Sequence, residues 1–155
     1  MSDRPWLETD DELLLDGVDY RVAGRLMGRT DRLAFQWLTL QPQLGGEQRE
    51  LLQTDDAMME AEALSPDLLD GRKVEINTRC FLLRWEGAVR TERSLPGAQP
   101  RFGSGRCAWY ETEEDGAVAI LIVDRHERSA ILGVPMAPAR IDLRFTKGLR
   151  RGGRD

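Results

Sequence analysis

The strongest constraint on the fold is a hairpin signal in the second half of the chain. Residues 106–112, RCAWYET, and residues 117–124, AVAILIVD, are strand-like runs that flank the turn sequence EEDG. Asp-Gly between two such runs is the strongest short-range signal of a β-hairpin, because both residues tolerate positive φ angles. The sequence therefore predicts an antiparallel hairpin here, and the rest of the chain has to fold with it.

Short strand-like runs recur along the chain between turn residues. They comprise residues 20–26, 33–40, 73–77, 79–85, 87–93, 129–135 and 139–144. This spacing predicts a mainly β fold, a small antiparallel β-barrel or sandwich with at most one short helix, rather than a βαβ fold. The first two runs should form a hairpin. Gly24, inside the first, predicts a bulge or a close approach of another backbone.

Two segments are harder to interpret. Residues 53–64, QTDDAMMEAEAL, fit a short helix capped by Thr54, but they also fit two strands around a TDDA turn. Residues 93–105, RSLPGAQPRFGSG, contain two prolines and three glycines. Because these residues break regular structure, we expect an irregular connection there.

Length and charge set the domain organisation. The 155 residues fit one domain, which we divide into an acidic leader 1–12, a β-rich domain 13–143 and a basic flexible tail 144–155. The tail has five basic residues and one acid, a charge of +4, so the rest of the chain carries −9 of the total of −5. Residues 20–29, YRVAGRLMGR, recur approximately as residues 81–90, FLLRWEGAVR. This echo favours two related β-modules, 13–66 and 67–143.

The candidate partner-binding residues lie at the two ends of the chain. Trp6 lies in the polar leader, where an aromatic side chain is a natural anchor for a partner. The other candidates are the basic residues of the tail: Arg144, Lys147, Arg150 and Arg151. Basic tails bind phosphate-rich or anionic surfaces. The alternative is that this tail only keeps the chain soluble.

No motif predicts catalysis, a cofactor or a metal site. The carboxylates fall in turns, and there is no CxxC pair; we expect Cys80 and Cys107 to be buried structural residues and His126 a turn residue. Residues 102–108, FGSGRCA, have the outline of a dinucleotide loop, but that loop must precede a helix and here a strand is predicted to follow. The charge of −9 also opposes nucleic-acid binding.

The sequence further predicts a cytoplasmic location. The longest apolar run, residues 117–123, is too short to cross a bilayer, and the first twelve residues lack the order of a signal peptide. We therefore expect no transmembrane segment. The basic tail leaves open a peripheral contact with the inner membrane.

The order of the segments resembles the bacterial domain-of-unknown-function family numbered 4178. The likeness runs through DGVDYRVAGRL, FQWLTL, DGRKVEINTRCFLLRWEGAVRTERSLPG and RCAWYETEEDGAVAILIVDRHERSAILGVPMAPARIDL. Members usually have a Trp–Glu–Tyr-like cluster where this chain has Phe35, Gln36 and Trp37, so that match is partial. The resemblance implies a β-rich domain of unsettled activity, whose genes are linked with membrane-stress proteins, small membrane proteins and polyamine-synthesis-like enzymes. It favours strands over helix for residues 50–64, and it transfers no catalytic residue.

Two functions of different classes remain. The first is a non-catalytic adaptor domain in a membrane-stress-linked system, which binds a protein partner by a sheet edge, by the leader with Trp6 or by the basic tail. The alternative is a module that binds a small cationic, polyamine-like ligand, or an accessory module of an enzyme system that acts on such a ligand. It predicts a concave acidic pocket lined by Trp or Tyr.

Overall fold

The computed structural model describes residues 6–125 and 127–145. These residues form eleven antiparallel strands and two short 3-10 helices, with no α-helix in the described part. The strands are β1 Glu12–Leu15, β2 Val18–Arg29, β3 Ala34–Pro42, β4 Arg49–Thr54, β5 Met58–Leu64, β6 Lys73–Ile76, β7 Arg79–Ser94, β8 Arg101–Glu111, β9 Val118–Asp124, β10 Arg128–Pro135 and β11 Ile141–Phe145. The 3-10 helices are Pro66–Leu68 and Pro138–Arg140.

Eight of the strands close into an antiparallel barrel. Their order is β2-β3-β4-β5-β10-β9-β8-β7, and β7 pairs back with β2 to complete the ring. Strand β1 extends the sheet from β2, β11 extends it from β1, and β6 extends it from β7. The prediction of a mainly β, small antiparallel barrel is confirmed, and so is the hairpin of β8 and β9. Residues 53–64 follow the strand alternative, because they lie in β4, a tight turn and β5.

The apolar core has three layers. Inside the barrel, all eight barrel strands contribute to one buried cluster, in which the rings of Phe35 and Trp109 lie 6.1 Å apart. A second cluster lies outside the barrel on the side of β1 and β11, and a third lies on the side of β6. Because the two faces of a strand alternate, barrel strands with apolar residues on both faces can supply an inner and an outer layer at once.

The pairing register of the first half of the barrel repeats in the second half. Each pair between β2 and β3, from Arg21–Gln41 to Arg29–Ala34, has a counterpart between β7 and β8. The counterpart is found by adding 61 to the residue number in β2 and 70 to the residue number in β3. Adding 70 to both residues of a β3–β4 pair gives a β8–β9 pair, and adding 70 to both residues of a β4–β5 pair gives a β9–β10 pair. The bulge at Gly24, expected from the sequence, recurs in β7 at the matching position. The division into modules 13–66 and 67–143 stays a prediction, which this repetition supports.

Three boundary predictions were wrong. Residues 79–85 and 87–93 are one continuous strand, β7, whose pairing with β8 runs through Glu86 and Gly87; its bulge lies earlier, between Leu83 and Trp85. Residues 93–105 are mostly strand, and only residues 95–100 connect β7 with β8. The glycines in β8 serve close packing: a Cβ on Gly105 would collide with the carbonyl oxygen of Val123 and lie 2.8 Å from the Cα of Asp124. The last strand, expected at residues 139–144, is Ile141–Phe145.

A cluster of four charged residues fixes β11 to the barrel. Arg140, just before β11, forms ion pairs with Asp16 at 2.7 Å and with Glu60 at 2.9 Å, and Arg49 contacts the same two carboxylates at 2.9 Å. The backbone N–H of Asp16 also donates to the carbonyl of Arg140. Hydrogen bonds from Arg140 are the main cause that lowers the pKa of both carboxyl groups below their usual range.

The two outer hairpins provide a matched test of backbone strain. The β1–β2 turn has Asp16 and Gly17 at φ of 52° and 79°, and the corresponding β6–β7 turn has Asn77 and Thr78 at 50° and 66°. A β-branched residue is strained at positive φ, whereas glycine is not. We expect Thr78→Gly to raise the free energy of unfolding by roughly 1 kcal/mol and Gly17→Thr to lower it by at least as much. Urea denaturation measures both, and a loss of stability in Thr78→Gly would contradict the turn geometry.

The cluster of Arg140, Arg49, Asp16 and Glu60 should make the stability of the fold depend on pH at acidic pH. A carboxyl group whose pKa is lowered in the folded state stabilises the fold above its unfolded pKa of about 4, and this contribution is lost as the pH falls through the folded value. Arg140→Gln should therefore lower Tm at pH 7, and the difference from the wild type should shrink below a pH of about 4. Thermal unfolding followed by circular dichroism across this range tests it, with the exposed Arg128→Gln as control. A Tm difference independent of pH would contradict the assignment.

Candidate functional site

The residues predicted to bind a partner are only partly described by the structure. Trp6 is half-buried, and it directly precedes Leu7, which is fully buried. Arg144 lies in β11, although its side chain is outside the described part. Lys147, Arg150 and Arg151 also lie outside the described residues, as does His126. The structure therefore does not test whether the predicted set comes together.

Buried hydrogen bonds fix the leader next to Trp6. The carbonyl of Leu7 accepts a hydrogen bond from Gln36 Nε2 at 2.9 Å, and the backbone N–H of Leu7 donates to Gln53 Oε1 at 3.1 Å. Gln36 Nε2 also donates to Gln53 Oε1 at 2.7 Å, while Arg25 donates to Gln36. Both glutamine side chains are buried, and the leader backbone supplies one more hydrogen-bond partner to each of them. The leader is thus part of the folded domain at Leu7.

Three exposed arginines lie together on the outer face of β2, β7 and β8. Arg29 stands directly opposite Arg90 in the register, and Arg106 is diagonal to Arg90, because Ser104 is the direct partner of Arg90. Like charges in such positions repel each other. Within residues 6–125 and 127–145 none of the three forms an ion pair with a carboxylate.

An exposed aromatic ring adjoins these arginines. Phe102, on the same face of β8, leaves 75% of its surface in solvent. We call Arg29, Arg90, Arg106 and Phe102 the arginine surface. Sequence reasoning missed it because Arg29 and Arg90 are 61 positions apart and only barrel closure pairs them.

Two shallow grooves run along the arginine surface. One, of about 840 Å³, is lined by the three arginines and also by Asp31 and Glu86. The other, of about 460 Å³, shares Arg90 with the first and includes Phe102. An extended acidic segment could follow these grooves, because each guanidinium presents a planar set of donors that matches a carboxylate.

A different cavity, of about 350 Å³, opens at one end of the barrel, and we call it the mouth cavity. Leu26 and Trp37 provide apolar walls, and the indole N–H of Trp37 donates to Glu50 Oε1 at 2.8 Å. The lining also includes Glu127 and the arginines 25, 93 and 101. The mouth cavity thus has the aromatic wall expected for a cationic ligand, but its lining charges are of both signs rather than acidic.

The described residues offer little for covalent or metal chemistry. No three His, Cys, Asp or Glu side chains in them come together as a metal site requires. Cys80 is exposed, contrary to the expectation that it is buried, since its strand lies near the edge of the sheet. Cys107 is buried, and burial raises the pKa of its thiol to about 11, so the reactive thiolate is disfavoured. The FGSG sequence lies within β8 and is not a loop before a helix. No helix in the described part is long and apolar enough to cross a bilayer.

Comparison with known proteins adds no relative. No protein-family model matches the chain, and neither the curated proteins nor the solved structures yield a match. The resemblance to the family numbered 4178 therefore remains a prediction from the sequence motifs. The barrel, its arginine surface and its mouth cavity are the basis on which a function has to be proposed.

Proposed function

We propose that this protein is a non-catalytic interaction domain, whose arginine surface binds an acidic segment of a protein partner. The observation that carries the proposal is the direct opposition of Arg29 and Arg90 in neighbouring strands. Neither forms an ion pair within the described chain, although Asp31 and Glu86 line the same groove. Facing arginines cost stability. A partner that supplies carboxylates would turn this repulsion into attraction.

The charge of the rest of the chain makes this surface selective. Without its tail the chain carries −9, so most of the molecule repels an acidic partner. A basic surface on an acidic body restricts such a partner to one place and one orientation. Phe102 adds an aromatic side chain, and aromatic residues and arginines are the residue types that contribute most to protein interfaces.

The resemblance to the family numbered 4178 supports a cellular setting for this role. It implies genes linked with membrane-stress proteins, so we propose an adaptor in a bacterial membrane-stress-linked system. The partner's docking segment would be acidic with an apolar residue for Phe102. The candidate residues at the ends of the chain, Trp6 and the basic tail, would then be secondary contacts.

Binding of a synthetic acidic peptide tests the arginine surface. The probe is a fluorescein-labelled peptide in which glutamates alternate with leucines, titrated with the full chain and followed by fluorescence anisotropy. Arg29→Gln/Arg90→Gln should weaken binding by about tenfold or more, since two charge-assisted contacts are lost. The wild-type Kd should also rise with salt.

A control variant separates local contacts from net charge. Arg21→Gln/Arg72→Gln removes the same charge from two exposed arginines outside the arginine surface and should change the Kd little. Equal weakening in both variants would mean nonspecific attraction. Binding of anionic vesicles but not of the peptide would reassign the surface to lipid headgroups. Either result would overturn the proposal.

A photo-crosslinker at Ser104 tests the same surface in the cell. Ser104 is exposed and pairs with Arg90, so a benzoylphenylalanine there should crosslink one protein that the Arg29→Gln/Arg90→Gln variant does not capture. The Arg21→Gln/Arg72→Gln variant should still capture it. A crosslink that persists in the first variant would place the partner elsewhere.

A further inference from the structure

The repeated register allows the two mouths of the barrel to be compared position by position. Equivalent residues occupy the same place in the register but lie at opposite ends of the barrel. The correspondences are Gly24 to Trp85, Thr39 to Trp109, Glu50 to Ile120 and Ser129 to Met59. At these four positions one mouth has large apolar side chains and the other has small or polar ones, whereas Leu26 and Trp37 of the mouth cavity correspond to the smaller Gly87 and Cys107.

At these four positions the larger residues of one mouth pack into the core, whereas their counterparts line the mouth cavity. Trp109, Ile120 and Met59 are buried in the core inside the barrel, and Trp85 packs against it. Their counterparts all line the mouth cavity or neighbour its lining residues. The connection after β7 also packs close there: a Cβ on Gly24 would lie 3.1 Å from Leu95 Cδ2. At these four positions the same backbone thus carries larger side chains at one end than at the other.

Most of the charges that line the mouth cavity are already paired. Arg25 forms an ion pair with Glu92 at 3.0 Å. Arg93 forms ion pairs with Asp124 and Glu127, each at 2.8 Å. These pairs hold the wall in place and leave little charge for a ligand.

Two lining charges remain available. Among the described residues, Glu50 and Arg101 are the lining groups without an ion-pair partner. The indole of Trp37 donates to Oε1 of Glu50 and so orients that carboxylate beside its own ring. A carboxylate held in a fixed position suits an ammonium group. The guanidinium of Arg101 suits a carboxylate.

We propose that the mouth cavity binds a small zwitterion, such as an apolar α-amino acid. Its ammonium group contacts Glu50, its carboxylate contacts Arg101, and its apolar body lies against Trp37 and Leu26. A cavity of about 350 Å³ is within the size range of small-molecule sites. This site is separate from the arginine surface and does not depend on the function proposed for it.

The experiment uses ligands that differ by one charged group. L-leucine, L-phenylalanine and L-tryptophan are titrated into the ¹⁵N-labelled full chain, up to about 10 mM to include weak binding. The indole N–H signal of Trp37, identified by its loss in Trp37→Phe, should shift and saturate. The signals of Trp85 and Trp109, from the opposite mouth, should stay unchanged. For the tightest ligand, the analogues without the carboxylate and without the ammonium group are then compared; for phenylalanine these are 2-phenylethylamine and 3-phenylpropionate.

Two variants test the two charges. Glu50→Gln should weaken binding of the amino acid and of the amine by about tenfold or more, with little effect on the acid. Arg101→Gln should weaken the amino acid and the acid but leave the amine unchanged. Arg29→Gln/Arg90→Gln should bind the amino acid as the wild type does, because it changes only the arginine surface.

A third variant introduces the residue that the chain itself has at the equivalent position of the opposite mouth. Ser129→Met introduces the side chain of Met59 at the equivalent position, so it should fill the mouth cavity and abolish binding without loss of stability. No saturable shift with any of the three amino acids would overturn the proposal. A Trp37 shift that the acid reproduces in full, or that survives in both Glu50→Gln and Ser129→Met, would also overturn it.

Discussion

The pairing of β2 with β7 is the interaction on which the barrel depends. Five residue pairs, from Arg25–Ser94 to Arg29–Arg90, join the two halves of the sheet there. Each strand must also pair with an outer strand at its other end, β2 with β1 and β7 with β6. The bulges at Gly24 and at its counterpart in β7 lie between these two pairings. Because a bulge bends its strand and increases the twist, it lets one strand serve both partners.

The symmetry of this closure accounts for the position of the arginine surface. Arg29 and Arg90 are equivalent residues of the two halves of the repeat. They are also paired directly across the β2–β7 junction. A charged residue kept at both copies therefore meets a like charge. A polar neutral residue would avoid the repulsion at no cost to the pairing. That both positions carry arginine is the observation on which the proposed binding role of this surface rests.

The sequence predicts local structure well and long-range pairing poorly. The β8–β9 hairpin, the bulge at Gly24 and the strand nature of most segments follow from turn residues and alternation between neighbours in sequence. The unbroken length of β7 was missed because Gly87 reads as a break, although pairing with β8 continues through it. The mouth cavity combines Gly24, Glu50 and Arg101 from three distant segments. No pattern within one segment indicates that small or polar residues from separate strands will meet.

Both candidate sites use residues of β2 and β7, and this ties binding to barrel closure. The mouth cavity includes Arg25 and Ser94, and the arginine surface includes Arg29 and Arg90, so each site requires the two strands to be paired. The hairpins within each half are formed by neighbours in sequence, whereas this junction forms only when distant segments meet. A ligand at either site contacts the closed barrel and not its separated halves. It must therefore stabilise the junction by mass action, by an amount that grows with the logarithm of the ligand concentration divided by its Kd.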